Sequence, residues 1–288
     1  MKLAYLGTPA IAVPPLRALH AAGHEVVLVV SGADKRRGRG GATSPSPVKA
    51  AALELGLPVS SDPDDVVDAG AELGVVVAYG RIIRPHVLAE LPMVNLHFSL
   101  LPRWRGAAPV ERAILAGDDR TGVCVMEVAE GLDTGDVYAV RSLEIGPTET
   151  ADELRARLVG VGTDLLVGTL GEGLPHGEPQ SDDGVTYAAK LTPADLELHW
   201  DSPAEQVLRT VRVGGAWTTW HGARFKVHAA SVTSSGEAAA PGTFVDPVTV
   251  ACASGAVVLE VVQPEGKARM DAAAWANGAR PAGERLGT

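Results

Sequence analysis

Asn95 and His97 stand two residues apart in Val94-Asn-Leu-His97, a run that passes at once into Ser99-Leu-Leu-Pro102. An extended strand alternates its side chains, so the amide and the imidazole share one face. These are the group types that hold a developing oxyanion and manage its proton. Residue type alone favours a plainer reading, a hydrogen-bonded pair inside a core. Two features reverse that preference. Leu100-Leu-Pro102 imposes an extended turn at the strand end, because proline holds its predecessor out of the helical region. Glu130-Gly-Leu-Asp-Thr-Gly-Asp136 sets Asp133 between Gly131 and Gly135, in a loop of the kind that brings backbone close to a ligand. An Asn, a His and an Asp on strand-end loops form an acyl-transfer constellation. It needs no Ser or Cys nucleophile if the substrate brings its own amine.

The surrounding elements are expected to place these groups at a sheet edge. Apolar runs at Lys2–Gly7, His24–Ser31, Leu73–Ala78 and Val94–His97 read as buried strands, separated by helical patterns that include Val48–Leu55. A further helix is expected over Glu149–Leu170, capped by Thr148 or Thr150. This alternation predicts a Rossmann-like α/β domain, residues 1–186, with a mostly parallel sheet covered on both faces. Such sheets bind ligands beyond the carboxyl ends of their strands, where Asn95 and His97 fall. A linker is expected over 187–203. Residues 204–288 open with a helix near Pro203–Val213 and continue in short β segments at Trp217–Trp220, Ala223–Val232, Gly242–Val245, Val248–Ala253 and Ala256–Val262. That pattern predicts a small OB-like β-barrel.

Other motifs carry less. Gly7-Thr-Pro9 at the first strand-to-helix turn is not a dinucleotide fingerprint. His20 and His24 have Gly23 between them and no carboxylate motif, and Cys124 and Cys252 lack CxxC partners, so no metal is expected. The formal net charge of −10 argues against general nucleic-acid affinity. The acidity is uneven, however: from Glu205 onward there are eight Lys and Arg against seven Asp and Glu. The basic run Lys35, Arg36, Arg37 and Arg39 stands out in the acidic part and points to an anionic partner. Arg103 and Arg105, either side of Trp104, fit a solvated turn or a phosphate-rich substrate equally well. No apolar run reaches membrane-spanning length and the first residues lack a signal-peptide pattern, so a cytoplasmic protein is expected; a monomer is expected too, although no motif bears on it.

The segments NLHFSLLPRWRGAAPVERAILAGD and TGVCVMEVAEGLDTGDVY resemble the 10-formyltetrahydrofolate-dependent formyltransferases, and within them the enzymes that act on methionyl-tRNA. The likeness extends over nearly the whole chain, through LAYLGTP, VVVAYGRIIRPHVL, VTYAAKLTPADLELHW and VVQPEGKARM. It implies catalytic roles for Asn95, His97 and Asp133. It implies a folate-contacting turn at Ser99, Leu100, Leu101 and Pro102, and a pterin pocket built partly of backbone around Tyr79, Gly80, Arg81 and Ile82. The formyl donor would be 10-formyltetrahydrofolate and the acceptor initiator methionyl-tRNA. Lys35, Arg36, Arg37, Arg39, Arg103 and Arg105 would face the RNA, and the C-terminal barrel would bear on its body. Three competing readings stand beside this one: a sugar-nucleotide N-formyltransferase, a formyltetrahydrofolate hydrolase and a non-enzymatic RNA-binding module. The last leaves Asn95, His97 and Asp133 unexplained.

Overall fold

A computed structural model of the protein describes residues 1–36, 43–233 and 239–287. The described chain divides into two compact units. One comprises Met1–Pro109, Arg120–Glu144 and Arg155–Ala189; the other comprises Val110–Asp119, Ile145–Leu154 and the stretch from Lys190 onward.

The first unit is built on β1 (Lys2–Gly7), α1 (Val13–Ala21), β2 (Glu25–Val30), a two-residue pair β3 (Lys35–Arg36) and β4 (Thr43–Ser44), α2 (Pro47–Glu54), β5 (Val59–Ser60), β6 (Leu73–Val77), α3 (Pro85–Glu90) and β7 (Met93–His97). After the short β8 (Arg105–Gly106) the chain passes through α4 (Pro109–Ala116), which beyond Pro109 belongs to the second unit, and the first unit closes with β9 (Arg120–Glu127), β10 (Val137–Glu144), most of α5 (Ala151–Glu172) and β11 (Tyr187–Ala188). The seven-stranded sheet runs β10-β9-β7-β6-β1-β2-β5. Neighbours from β5 to β7 are parallel, whereas β9 and β10 add an antiparallel edge. Those last two strands were not anticipated. β9 is buried from Thr121 to Met126, whereas β10 is half-buried to exposed along its length.

Local chemistry sets the helix starts. Ser46 caps α2, accepting from the Lys49 N–H at 3.0 Å, and Pro47 occupies a first-turn position where its missing donor is harmless. A reciprocal capping box opens α5: Thr150 Oγ1 accepts from Glu153 N at 3.3 Å and Glu153 Oε2 accepts from Thr150 N at 2.9 Å. Of the two caps considered, Thr150 is the one used.

β7 shows why its two polar groups face away from α5. A Cβ built on Gly162 of α5 would lie 2.9 Å from Val123 and 3.3 Å from Leu96, so Leu96 packs directly under that helix. Asn95 and His97 project from the opposite face. Both stand where β6 ends at Val77 and β7 continues beside β9, with Asn95 opposite Met126 and His97 opposite Cys124.

The second unit contains α6 (Ala204–Val213) and an antiparallel sheet of β12 (Trp217–Trp220), β13 (Ala223–Thr233), β15 (Ala256–Pro264) and β14 (Thr249–Ala251), with β16 (Met270–Asp271) added to β15. Its core gathers Phe225, Val227, Phe244, Val257 and Leu259. Gly242–Val245, expected as a strand, makes only isolated bridges from Thr243 to Arg285 and from Phe244 to Val250. Pro241 and Pro247 at its flanks withhold the ladder donors a strand needs. The Ala-rich α7 (Ala272–Ala279), capped by Asp271 through Ala274 N at 3.0 Å, was not read as a helix. None of the described helices is long and apolar enough to cross a membrane.

Candidate active site

The sharp turn after β7 folds back over the strand it leaves. Ser99 Oγ donates to Arg103 O at 2.6 Å, and Leu101-Pro102 is a cis peptide. Trp104 follows with φ +65° and Gly106 with φ +121°. The result is a frame of backbone groups aimed at the two side chains that matter. The Trp104 carbonyl lies 2.9 Å from His97 Nε2, and the Gly106 N–H donates to Asp133 Oδ2 at 2.7 Å. A carbonyl only accepts, so Nε2 of His97 carries a hydrogen and Nδ1 is the nitrogen left for chemistry. Nδ1 faces Asp133 Oδ2 at 3.6 Å. That is ion-pair range and longer than a direct hydrogen bond.

Both groups sit in a protected setting, with side-chain exposures of 6% for His97 and 15% for Asp133. Charge interactions there are screened far less than in water. Asn95 completes the cluster from the same face of β7. Its carboxamide makes no hydrogen bond among the described residues, although the residue is only partly exposed. A half-buried amide with no protein partner is poised to donate to something that binds. The structure therefore brings His97 and Asp133 together and leaves Asn95 available beside them.

The Asp133 loop is held by groups that sequence reading missed. Asp133 itself has φ +51°. A Cβ on Gly135 would fall 2.2 Å from the Glu127 carbonyl, so the loop passes too close to β9 for any side chain there. Gln180, a distant residue in the chain, donates to Asp133 O at 2.9 Å and to Gly135 O at 2.8 Å. Thr186 contributes similarly to the turn: its Oγ1 accepts from Trp104 N at 2.9 Å and its carbonyl from Arg105 N at 2.9 Å. No local spacing could have revealed either residue.

Two of the expected contact residues lie buried and are engaged within the protein. Arg105, expected to face RNA, is 9% exposed, and its Nε and Nη2 donate to Gln180 Oε1 at 3.1 and 2.8 Å. A guanidinium spent on a partly buried carboxamide does not present itself to a phosphate. Ser99, expected to contact folate, has no exposed surface; its hydroxyl braces the turn instead. Leu100, Leu101 and Pro102 remain partly exposed at the turn. Arg103 lies with its guanidinium 4.4 Å above the Trp104 ring, and both residues are partly exposed.

Beyond β6, Ala78 and Gly80 adopt positive φ, and the Tyr79 ring is buried while Ile82 is 90% exposed. The N–H groups of Gly80, Arg81 and Ile82 have no partner among the described residues. Arg81 reaches back to Ser61 O at 3.0 Å. Lys35 and Arg36 form β3, whereas Arg37 and Arg39 lie outside the described residues. Among the described residues, no group of three or more His, Cys, Asp or Glu is arranged to hold a metal.

Cys124 lies opposite His97 and its Sγ donates to Ser99 O at 3.1 Å. Burial pushes its thiol up to about 11, and that of Cys252 to about 11 as well. A group whose acid form is favoured this strongly stays a thiol at pH 8, and the thiolate is the nucleophile. Both cysteines are therefore expected to resist alkylation at pH 8 in the native protein and to react once guanidinium unfolds it. Mass spectrometry of labelled peptides checks this; rapid native labelling of Cys124 would contradict the burial described.

Asn95, His97 and Asp133 thus stand together at a strand end of a mixed sheet, an arrangement compatible with acyl transfer. Residues 1–170 match the family described as formyl transferase, and residues 190–280 match the formyl transferase C-terminal domain. The chain belongs to the formyl transferase family. It is 46% identical over 312 aligned positions to the methionyl-tRNA formyltransferase of Symbiobacterium thermophilum, covering 100% of this chain and 94% of that protein. Its fold resembles the methionyl-tRNA formyltransferase from Clostridium thermocellum, with a TM-score of 0.61 and 16% identity, over 92% of this chain and 98% of that one. An N-formyltransferase from Helicobacter canadensis, solved with folinic acid and dTDP-3-aminofucose, gives a TM-score of 0.69 at 14% identity, over 92% and 99% of the two chains. At such identities the structural likeness speaks to the fold alone.

Proposed function

We propose that this chain transfers a formyl group from 10-formyltetrahydrofolate to the α-amine of methionine on initiator methionyl-tRNA, in the cytoplasm. The observation that carries the reading is the convergence of Asp133 on His97 beside an Asn95 amide with no partner among the described residues. The full-length relative at 46% identity supports the choice of acceptor. The residues fit a reduced folate. Unpaired backbone amides at Gly80, Arg81 and Ile82 suit the polar edge of a pterin, while Ile82 and the Leu100–Leu101 turn supply apolar surface.

The folate supplies the formyl carbon when bound. The chain's own residues do the rest. Asn95 donates its amide hydrogens toward the oxygen that gains negative charge as the amine adds. His97 is held by the Trp104 carbonyl with its Nδ1 edge toward the reacting centre. Asp133, fixed by the Gly106 N–H, accepts through a water the proton that the attacking nitrogen loses, and the same path returns it to the folate nitrogen as that nitrogen's bond to the formyl carbon breaks and tetrahydrofolate leaves. Holding the amine against the carbon contributes as well, in principle ~7–11 kcal/mol of the barrier.

For the second unit, we assign the antiparallel sheet to the oligonucleotide-binding type, with residues 204–288 as a tRNA-binding domain joined to the catalytic residues 1–186 by 187–203. Lys35, Arg36, Arg37, Arg39 and Arg103 are the RNA-facing cations of this reading. Incubation with 10-formyltetrahydrofolate and methionine-charged initiator tRNA tests the whole reading. N-formylmethionine on the tRNA is the expected product. Formate release without an acceptor would instead identify a hydrolase, and absence of both would refute folate chemistry.

A further inference from the structure

The Gln180 carboxamide is a closed junction. Its Oε1 accepts twice, from Arg105 Nε and Nη2, and its Nε2 donates twice, to the carbonyls of Asp133 and Gly135. Both lone pairs and both hydrogens are used, and the partners leave only one way round for the amide. Arg105 is covalently next to Gly106, whose N–H holds the Asp133 carboxylate at 2.7 Å. Asp133 is thereby gripped from both ends by one ring of bonds: its side chain through Gly106, its backbone through Gln180, with Arg105 closing the circuit. The same turn carries Trp104, whose carbonyl orients His97.

We propose that Gln180 is a positioning residue for Asp133, and that Arg105 serves it by fixing the carboxamide rather than by meeting RNA. A loop containing one non-glycine residue at φ +51° and two glycines does not hold a carboxylate in place unaided. The inference rests on the formyl-transfer reading for its kinetic readout, and on exchange for a readout independent of it.

Gln180→Glu is the telling substitution. It keeps an acceptor for Arg105 but replaces the two donors with an oxygen facing two carbonyls. Gln180→Ala removes the junction entirely. Each is expected to lower kcat roughly 10–100-fold with KM for both substrates nearly unchanged, as for displacement of an oriented group. The loss should be non-additive: Gln180→Glu in an Asp133→Asn background costs nothing beyond Asp133→Asn alone. Amide exchange over residues 128–138 should accelerate in both variants, whatever their activity. Unchanged exchange, full kcat in Gln180→Glu, or losses that multiply with Asp133→Asn would overturn the proposal. Absence of formylated product from the unsubstituted protein would refute the formyl-transfer reading while leaving the exchange result to judge the junction.

Discussion

Asn95→Ala is expected to lower kcat about 10²–10³-fold while leaving folding intact. The magnitude is that of removing one donor from an oxyanion site, roughly 2.7–4 kcal/mol of barrier. The side chain has no hydrogen-bond partner among the described residues, so its removal strands nothing inside the protein. The thermal midpoint should therefore stay close to that of the unsubstituted protein. This pairing of a large kinetic loss with a small stability change separates the catalytic reading of Asn95 from the plainer one, a core amide. Single-turnover formylation with saturating substrates, together with a melting curve, checks both halves. Near-normal turnover would remove Asn95 from the mechanism. A large drop in melting temperature would return it to the core.

Gly106→Ala is expected to damage both activity and stability. At φ +121° an L-side chain is strained, and the added Cβ would lie 2.9 Å from the Ala188 carbonyl. That carbonyl already accepts from Ala107 N at 2.8 Å and Ala108 N at 3.1 Å, so it is not free to withdraw. The backbone strain alone amounts to about 1–3 kcal/mol, and each kcal/mol lowers Tm by roughly 2–4 °C in a domain of this size. Relief of the clash moves the Gly106 N–H away from Asp133. A displacement of about 1 Å at a reacting group costs on the order of 10²-fold in rate. Calorimetry and kcat measured well below the new Tm test the two effects separately. Wild-type values for both would show that the Gly106 N–H does not set the carboxylate.

How much of this was legible from residues follows from the range of each interaction. The shared face of Asn95 and His97 needs only the period of a strand, and Asp133 announces itself through flanking glycines. The buried parallel strands were readable because Val-rich runs such as Glu25–Val30 and Leu73–Val77 carry one local signal. β9 and β10 were not, although they finish the sheet: the pairing of β9 with β7, and of β10 with β9, is a tertiary fact with no turn signature to declare it. Arg105 misled for a physical reason. Arginine in an Arg-Trp-Arg run reads as surface charge, and only the carboxamide of Gln180, placed there by the fold, makes burial tolerable. The Trp104 carbonyl and the Gly106 N–H, which orient His97 and Asp133, are main-chain atoms and so leave no trace in residue type.

The most direct measurement is a crystal structure with a non-transferring formyl-folate analogue bound. The formyl oxygen should lie within hydrogen-bond distance of Asn95 Nδ2, with the imidazole of His97 and the Asp133 carboxylate lining the same small space and the pterin against Gly80–Ile82. Density for the analogue elsewhere on the protein, or a formyl group remote from Asn95 and His97, would contradict the assignment of this strand end as the place where the carbon changes hands.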